Sequence, residues 1–236
     1  MAGTVLNVAT VLIGGVLGLV LGARLSARLR ETVVHSLGLF TFALGVGMFL
    51  QTTNPLYALG GLLLGAVLGE WWRIEDGLQR IGASLEARFH RGVTGSDGSA
   101  RFVEGFMTAS LLFCVGPMTI LGSVQAGLSG DIQLLAVKSV LDGFAAIALA
   151  STLGVGVLFS ALTILVYQGG LTFLAGSAGG LLSNAMVAEM TAVGGILLMA
   201  LAVSSLLELK KVRTGNLLPG LIVAPLLVWA VSLLAG

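Results

Sequence analysis

Residues 4–30 read TVLNVATVLIGGVLGLVLGARLSARLR. An apolar run is followed at once by three arginines, Arg24, Arg28 and Arg30. A helix crossing a bilayer needs about 20 mostly apolar residues, and this run supplies them. It lacks the basic start of a cleavable signal, and the arginines follow directly, so it reads as a retained first span.

The remainder of the chain has the same character. Of 236 residues, 56% are hydrophobic and 10% charged, and the mean hydropathy is +1.04. Soluble domains carry about 25% charged residues, so this chain lacks the charge to cover a water-facing surface of its size. A bilayer removes that requirement. The formal net charge of +1 offers no electrostatic case for binding nucleic acid. Cys114 is the sole cysteine, so no intrachain disulfide forms. His35 and His90 make no metal site without convergent partners.

The expectation is an all-α, polytopic bundle forming one integral membrane domain over 1–236. About eight spans fall at 4–23, 32–50, 55–72, 102–121, 132–152, 153–175, 185–207 and 217–235. The junction at 152–154 is the weakest boundary, since Ser151, Thr152 and Gly154 suit either a turn or a kink. Basic residues test this layout. Arg24, Arg28 and Arg30 follow span one, and Arg73, Arg80, Arg88, Arg91 and Arg101 separate spans three and four. Lys210, Lys211 and Arg213 separate spans seven and eight. Eleven of the 12 basic residues thus lie in alternate connections, and 51–54, 122–131 and 176–184 carry none. The positive-inside rule makes the basic side cytoplasmic, in a bacterial plasma (inner) membrane, with both termini extracytoplasmic.

Segment 73–101 is the one sizeable polar piece. Ile74, Leu78, Ile81, Leu85 and Phe89 recur at helical spacing, with charges on the other faces. This predicts a cytoplasmic amphipathic helix behind Trp71 and Trp72, then a loop over 90–100. It serves either as a linker packed on the bundle or as a docking element. Gly14, Gly18 and Gly22 form one small-residue face, and Gly61, Gly65 and Gly69 form another. Such faces pack helices closely in lipid, either as static contacts or as a sliding seam. Gly-Gly pairs in spans one, three and seven hint at a same-direction repeat, which chance also produces in a chain with 35 glycines.

Charges at membrane depth cost roughly 2.5–3.5 kcal/mol each on insertion scales. Lys138 and Asp142 share one face of span five, four residues apart. They form either a pair that locks the helix or a substrate or proton site. Glu189, near the outer start of span seven, is protonated, paired with Lys138, or in outer water. Asn7, Gln168 and Gln125 fall at similar depth, which points to an outward-facing polar cavity. Span four contains Gly116-Pro117-Met118-Thr119. Proline removes a backbone donor, and a break here frees carbonyls as broken transporter helices do; an ordinary kink is the plainer reading. The candidate substrate-binding set is Lys138, Asp142, Glu189, Asn7, Gln168, Gln125, Pro117 and Thr119.

Several stretches carry a family resemblance. They are Gly3-Thr4-Val5-Leu6-Asn7 with Gly14-Gly15, Gly116 to Ser123, Lys138-Ser139-Val140-Leu141-Asp142, Val166-Tyr167-Gln168-Gly169, and Glu189 to Gly195. The chain resembles the YdfK/YqgA-type family of bacterial membrane proteins, a family without an established function. The resemblance implies an integral inner-membrane protein.

The leading functional expectation is a secondary transporter or permease for a small solute or ion. The alternative is a non-transporting membrane scaffold or assembly factor that binds a partner through 73–101. No nucleophile set, metal cluster or phosphate loop is evident, so no enzyme and no cofactor is expected. The expected partners are the lipid bilayer, an unknown small solute or ion, and a second copy of the chain, which the glycine faces permit.

Overall fold

The computed structural model describes residues 1–22, 26–89, 96–114, 117–175 and 183–235. Among them every regular element is helical: α1 (Ala2–Gly22), α2 (Ala27–Phe49), α3 (Pro55–Trp72), α4 (Ile74–Phe89), α5 (Ser96–Cys114), α6 (Pro117–Leu128), α7 (Gln133–Leu153), α8 (Gly156–Ala175), α9 (Asn184–Leu201) and α10 (Gly220–Ala235). A π-turn at Ala202–Leu206 extends α9, and a 3-10 turn at Thr214–Leu217 precedes α10. The protein is an all-α, polytopic membrane bundle.

Among the described residues six helices are long and apolar enough to cross a membrane, or seven if α5 and α6, which meet at 71°, form one bent span. The remaining expected span, α3, falls outside that count. Its 18 residues end in Glu70-Trp71-Trp72, which lowers their average hydropathy. The charged segment after α3 is helical as α4. The expected loop at 90–100 is shorter than its reading, because α5 already begins at Ser96; His90 and Arg91 lie outside the described residues.

Helix ends follow local chemistry. Asn54 caps α3, its side chain accepting from the Leu56 N–H at 3.1 Å, with Pro55 at the first helical position. Ser183 caps α9 through the Met186 N–H. Gly154 ends α7 with φ 82° and ψ −158°, a conformation side chains oppose. The doubtful 152–154 junction is therefore a turn between two spans. Arg101 closes the other side of that turn. Its Nη2 and Nε donate to the Thr152 carbonyl at 2.6 and 3.1 Å, placing a cation at a helix C-terminus.

The chain forms two compact units. The first comprises Met1–Leu37, Leu78–Cys114 and Met118–Gly179. In it, α1 and α7 lie backbone to backbone. A methyl added at Gly14, Gly18 or Gly22 would strike the carbonyl of Gly143, Ile147 or Ser151 respectively. Residue numbers ascend together, so the two helices run parallel. Gly15 meets Leu158 while Gln168 bonds Thr4, so α8 runs antiparallel to α1. Phe102 backs Gly156 and Ser110 bonds Thr163, so α5 runs parallel to α8.

The second unit comprises Gly38–Gly77, Val115–Pro117 and Gly180–Gly236. Here Gly61, Gly65 and Gly69 of α3 sit against Ala224, Gly220 and Asn216 in descending order, so α3 and α10 are antiparallel. Gly45 abuts Gly195, and Gly38 abuts Leu206 and Leu207, so α2 and α9 are antiparallel as well. Glu75 ties the start of α4 to the turn before α10. Its N–H donates to Asn216 Oδ1, and its carboxylate accepts from the Gly215 N–H, both at 2.7 Å. Arg213 and Glu70 pair beside them at 3.0 Å.

Within each unit these directions match alternating spans in which α5 and α6 together count as one. The two glycine seams run in opposite senses, parallel for α1 with α7 and antiparallel for α3 with α10. Their shared spacing therefore reflects the demands of close packing and not a repeated packing unit. Gly18→Leu and Gly65→Leu are expected to lower stability by about 3 kcal/mol or more, because a backbone has to move to admit the side chain. Gly47→Leu, at an exposed glycine with open space around it, is expected to be neutral. Thermal unfolding of purified protein in detergent checks the contrast.

Candidate functional site: a buried polar cluster of three helices

Helices α1, α7 and α8 each bring polar side chains to one place in the first unit. On α7, Lys138 and Asp142 stand one turn apart and form an ion pair through Asp142 Oδ2. From α1, Asn7 Nδ2 donates to the same Asp142 oxygen at 2.9 Å and to Gln168 Oε1 of α8 at 2.9 Å. A carboxylate only accepts, so the amide nitrogen of Asn7 has to face it. Gln168 is thereby oriented with its Nε2 toward Thr4 Oγ1, at 3.4 Å. Thr10 Oγ1 donates to the Asn7 carbonyl one turn on.

Asn7 and Gln168 expose none of their surface, Lys138 exposes 5% and Asp142 9%. Where a wet pocket was expected, this conformation holds a mostly buried polar cluster. Burying an ion pair costs several kcal/mol per ion before their attraction is counted. The Asn7 hydrogen bond offsets part of that for Asp142. Asn7 Oδ1, fully buried, accepts no hydrogen bond among the described residues. Such an orphan costs about 1–3 kcal/mol.

The other expected site residues make other contacts. Among the described residues Glu189 makes no bond to Lys138. Its carboxylate belongs to the second unit and accepts four hydrogen bonds there. Thr52 Oγ1 donates to Oε2 at 2.7 Å, while Thr53 N, Thr53 Oγ1 and Asn54 N donate to Oε1 at 2.8, 2.8 and 2.9 Å. It holds the 51–54 turn at the start of α3. Gln125 is exposed on α6 and is not part of the cluster. Thr119 is buried, but its hydroxyl is spent on the Phe113 carbonyl at 3.1 Å, bridging α6 to α5. Pro117 opens α6, so the expected break in span four is present as two helices at 71°; Gly116 lies outside the described residues.

Two groups escaped the sequence reading. Thr4 joins the cluster, and its position three residues before Asn7 on one helix face was the available signal. Thr52 and Thr53, the donors to Glu189, stand in a Thr-Thr-Asn-Pro sequence typical of a helix start. The buried hydroxyls of Thr108 and Ser123 also lack partners among the described residues.

A family model matches residues 2–229, and its description is "Protein of unknown function (DUF554)". The chain belongs to this family. It is 30% identical over 235 residues to the "Uncharacterized membrane protein YdfK" of Bacillus subtilis (strain 168), covering 98% of this chain and 97% of that one. It is 31% identical over 222 residues to the "Uncharacterized protein YqgA" of Escherichia coli (strain K12), covering 94% of each. No solved structure matches the chain. The expected YdfK/YqgA-type kinship is therefore established, and with it membership of a membrane protein family.

Two outcomes separate the carboxylates. Lys138→Met or Asp142→Asn alone strands a buried charge and is expected to destabilise by about 3–5 kcal/mol, whereas the double variant Lys138→Met/Asp142→Leu returns close to wild-type stability. Glu189→Gln is expected to cost about 1–3 kcal/mol, because one of its two accepting oxygens becomes a donor facing donors. Thermal unfolding in detergent measures both.

Proposed function

We propose that the protein is a secondary transporter or permease for a small solute or ion. In this reading it sits in a bacterial inner membrane with both termini extracytoplasmic. Its substrate or ion site is the Lys138, Asp142, Asn7 and Gln168 cluster. The observation that carries the proposal is this cluster itself. Three helices converge on an ion pair inside a membrane bundle and leave a fully buried acceptor unsatisfied. Ionisable groups at membrane depth are costly, and where they persist they mark substrate, ion or proton paths. A lock needs only the pair; it does not need an orphaned amide oxygen beside it.

Two further features support the reading. The bent α5–α6 span supplies the kind of interrupted helix on which transporter sites are built. The basic residues crowd one set of connections, which supports an orientation with that set in the cytoplasm. Transport here is a binding and release process driven by gradients, without covalent chemistry, and the 73–101 segment acts as an amphipathic element at the cytoplasmic surface.

The test is reconstitution into liposomes, with flux read as current on a solid-supported membrane or as solute uptake. Wild-type protein is expected to give flux. Asp142→Asn is expected to lower it at least about tenfold, the effect of one lost charge-assisted contact of about 1.4 kcal/mol or more. The double variant Lys138→Met/Asp142→Leu is expected to abolish flux while remaining folded. Flux undiminished in the folded double variant overturns the proposal. Glu189→Gln, after correction for the amount of folded protein, is expected to leave flux near wild type.

A further inference from the structure

The hydrogen-bonding capacity left open in the cluster defines a ligand. Asn7 Nδ2 uses both its protons, on Asp142 and Gln168. Its Oδ1, bonded to the same carbon, accepts nothing among the described residues. The Lys138 ammonium has three N–H donors; among the described residues it uses one, on Asp142 Oδ2. Asp142 Oδ1 has no hydrogen-bond partner among the described residues, since the Lys138 bond and the Asn7 bond both fall on Oδ2. Two acceptors and two charged N–H donors thus stand open around one mostly buried ion pair.

Single ions fit poorly. A cation suits the open acceptors but meets the Lys138 ammonium. An anion suits the ammonium but meets the Asp142 carboxylate. The pair sums to zero charge, and a molecule that also sums to zero adds no net charge to a buried place, where uncompensated charge is the dominant cost. It also has to carry donors at one end, for Asn7 Oδ1 and Asp142 Oδ1, and acceptors at the other, for Lys138.

From these open groups we propose that the site takes a small zwitterion of the α-amino acid class, its ammonium on Asn7 and Asp142 and its carboxylate on Lys138. The proposal rests on the transport reading of the same cluster and names its substrate class. Asn7 becomes the residue that distinguishes an N–H-bearing cation from a methylated one. A quaternary ammonium has no proton for Oδ1 and leaves the orphan unpaired, which is the circumstance in which buried sites discriminate most strongly.

The experiment uses the full chain purified in detergent micelles, with thermal stability followed against glycine, L-alanine and L-serine. Acetate, methylammonium and glycine betaine serve as controls. Ligand binding to the folded state raises the midpoint in proportion to occupancy. The amino acids are expected to raise it in a saturable way, and the three controls are not. Asn7→Ala is expected to weaken the apparent affinity for L-alanine about tenfold, the worth of one buried hydrogen bond. The double variant Lys138→Met/Asp142→Leu is expected to keep its fold and abolish the shift.

A shift from acetate or methylammonium equal to that from L-alanine overturns the zwitterion while leaving the transport reading intact. So does an absent amino-acid shift in protein whose liposome flux still depends on Lys138 and Asp142. Equal shifts from glycine betaine and glycine overturn the role given to Asn7 Oδ1. Absence of both amino-acid binding and flux overturns the ligand and the transport reading together.

Discussion

Backbone meets backbone where α1 crosses α7, and the candidate site depends on that contact. Lipid tails are as apolar as leucine, so helices in a bilayer gain little by hiding apolar side chains from one another. They gain by fitting closely. Gly14, Gly18 and Gly22 remove the side chains that would keep the two helices apart, and the carbonyls of Gly143, Ile147 and Ser151 occupy the vacated space. Asn7 lies two turns before Gly14 on the same face. The parallel register that seats Gly14 against Gly143 therefore carries Asn7 to Asp142. A seam whose first effect is stability also decides which amide reaches the buried carboxylate.

The two intramembrane carboxylates show how partners determine role. Glu189 is saturated: four donors from Thr52, Thr53 and Asn54 converge on its oxygens and hold the turn that starts α3. A group so fully engaged has little left to offer a ligand. Asp142 is engaged on one oxygen only, by an ammonium and an amide. The cluster around it is partly satisfied, a condition that is expensive in a rigid core and useful in a binding site. Arg101 belongs with Glu189 in this respect, since its guanidinium is committed to the Thr152 carbonyl where α7 ends. Glu189 and Arg101 thus hold helix ends, while Asp142 keeps one oxygen open among the described residues.

Break points divide in the same manner. Gly154, with a positive φ, separates α7 from α8 and lets both run as full spans. Pro117 begins α6 at 71° to α5, and Thr119 spends its hydroxyl on the Phe113 carbonyl freed near the end of α5.

The amino-acid sequence alone determined the membrane class, most span positions, and the Lys138–Asp142 pair. Each follows from relations within one helix: apolar length against bilayer thickness, and two charges four residues apart on one face. Only the tertiary structure decided the rest. The Asn7–Gln168 bond joins residues 161 positions apart, and the Thr52–Glu189 bond joins residues 137 apart. Position along a span gives Asn7, Gln168, Gln125 and Glu189 an expected depth, but depth is one coordinate of three. Rotation about each helix axis separates buried Gln168 from exposed Gln125, and it also sets the neighbours of Glu189. That rotation is fixed by which small residues of one helix admit the backbone of another, a property of helix pairs that no single helix carries.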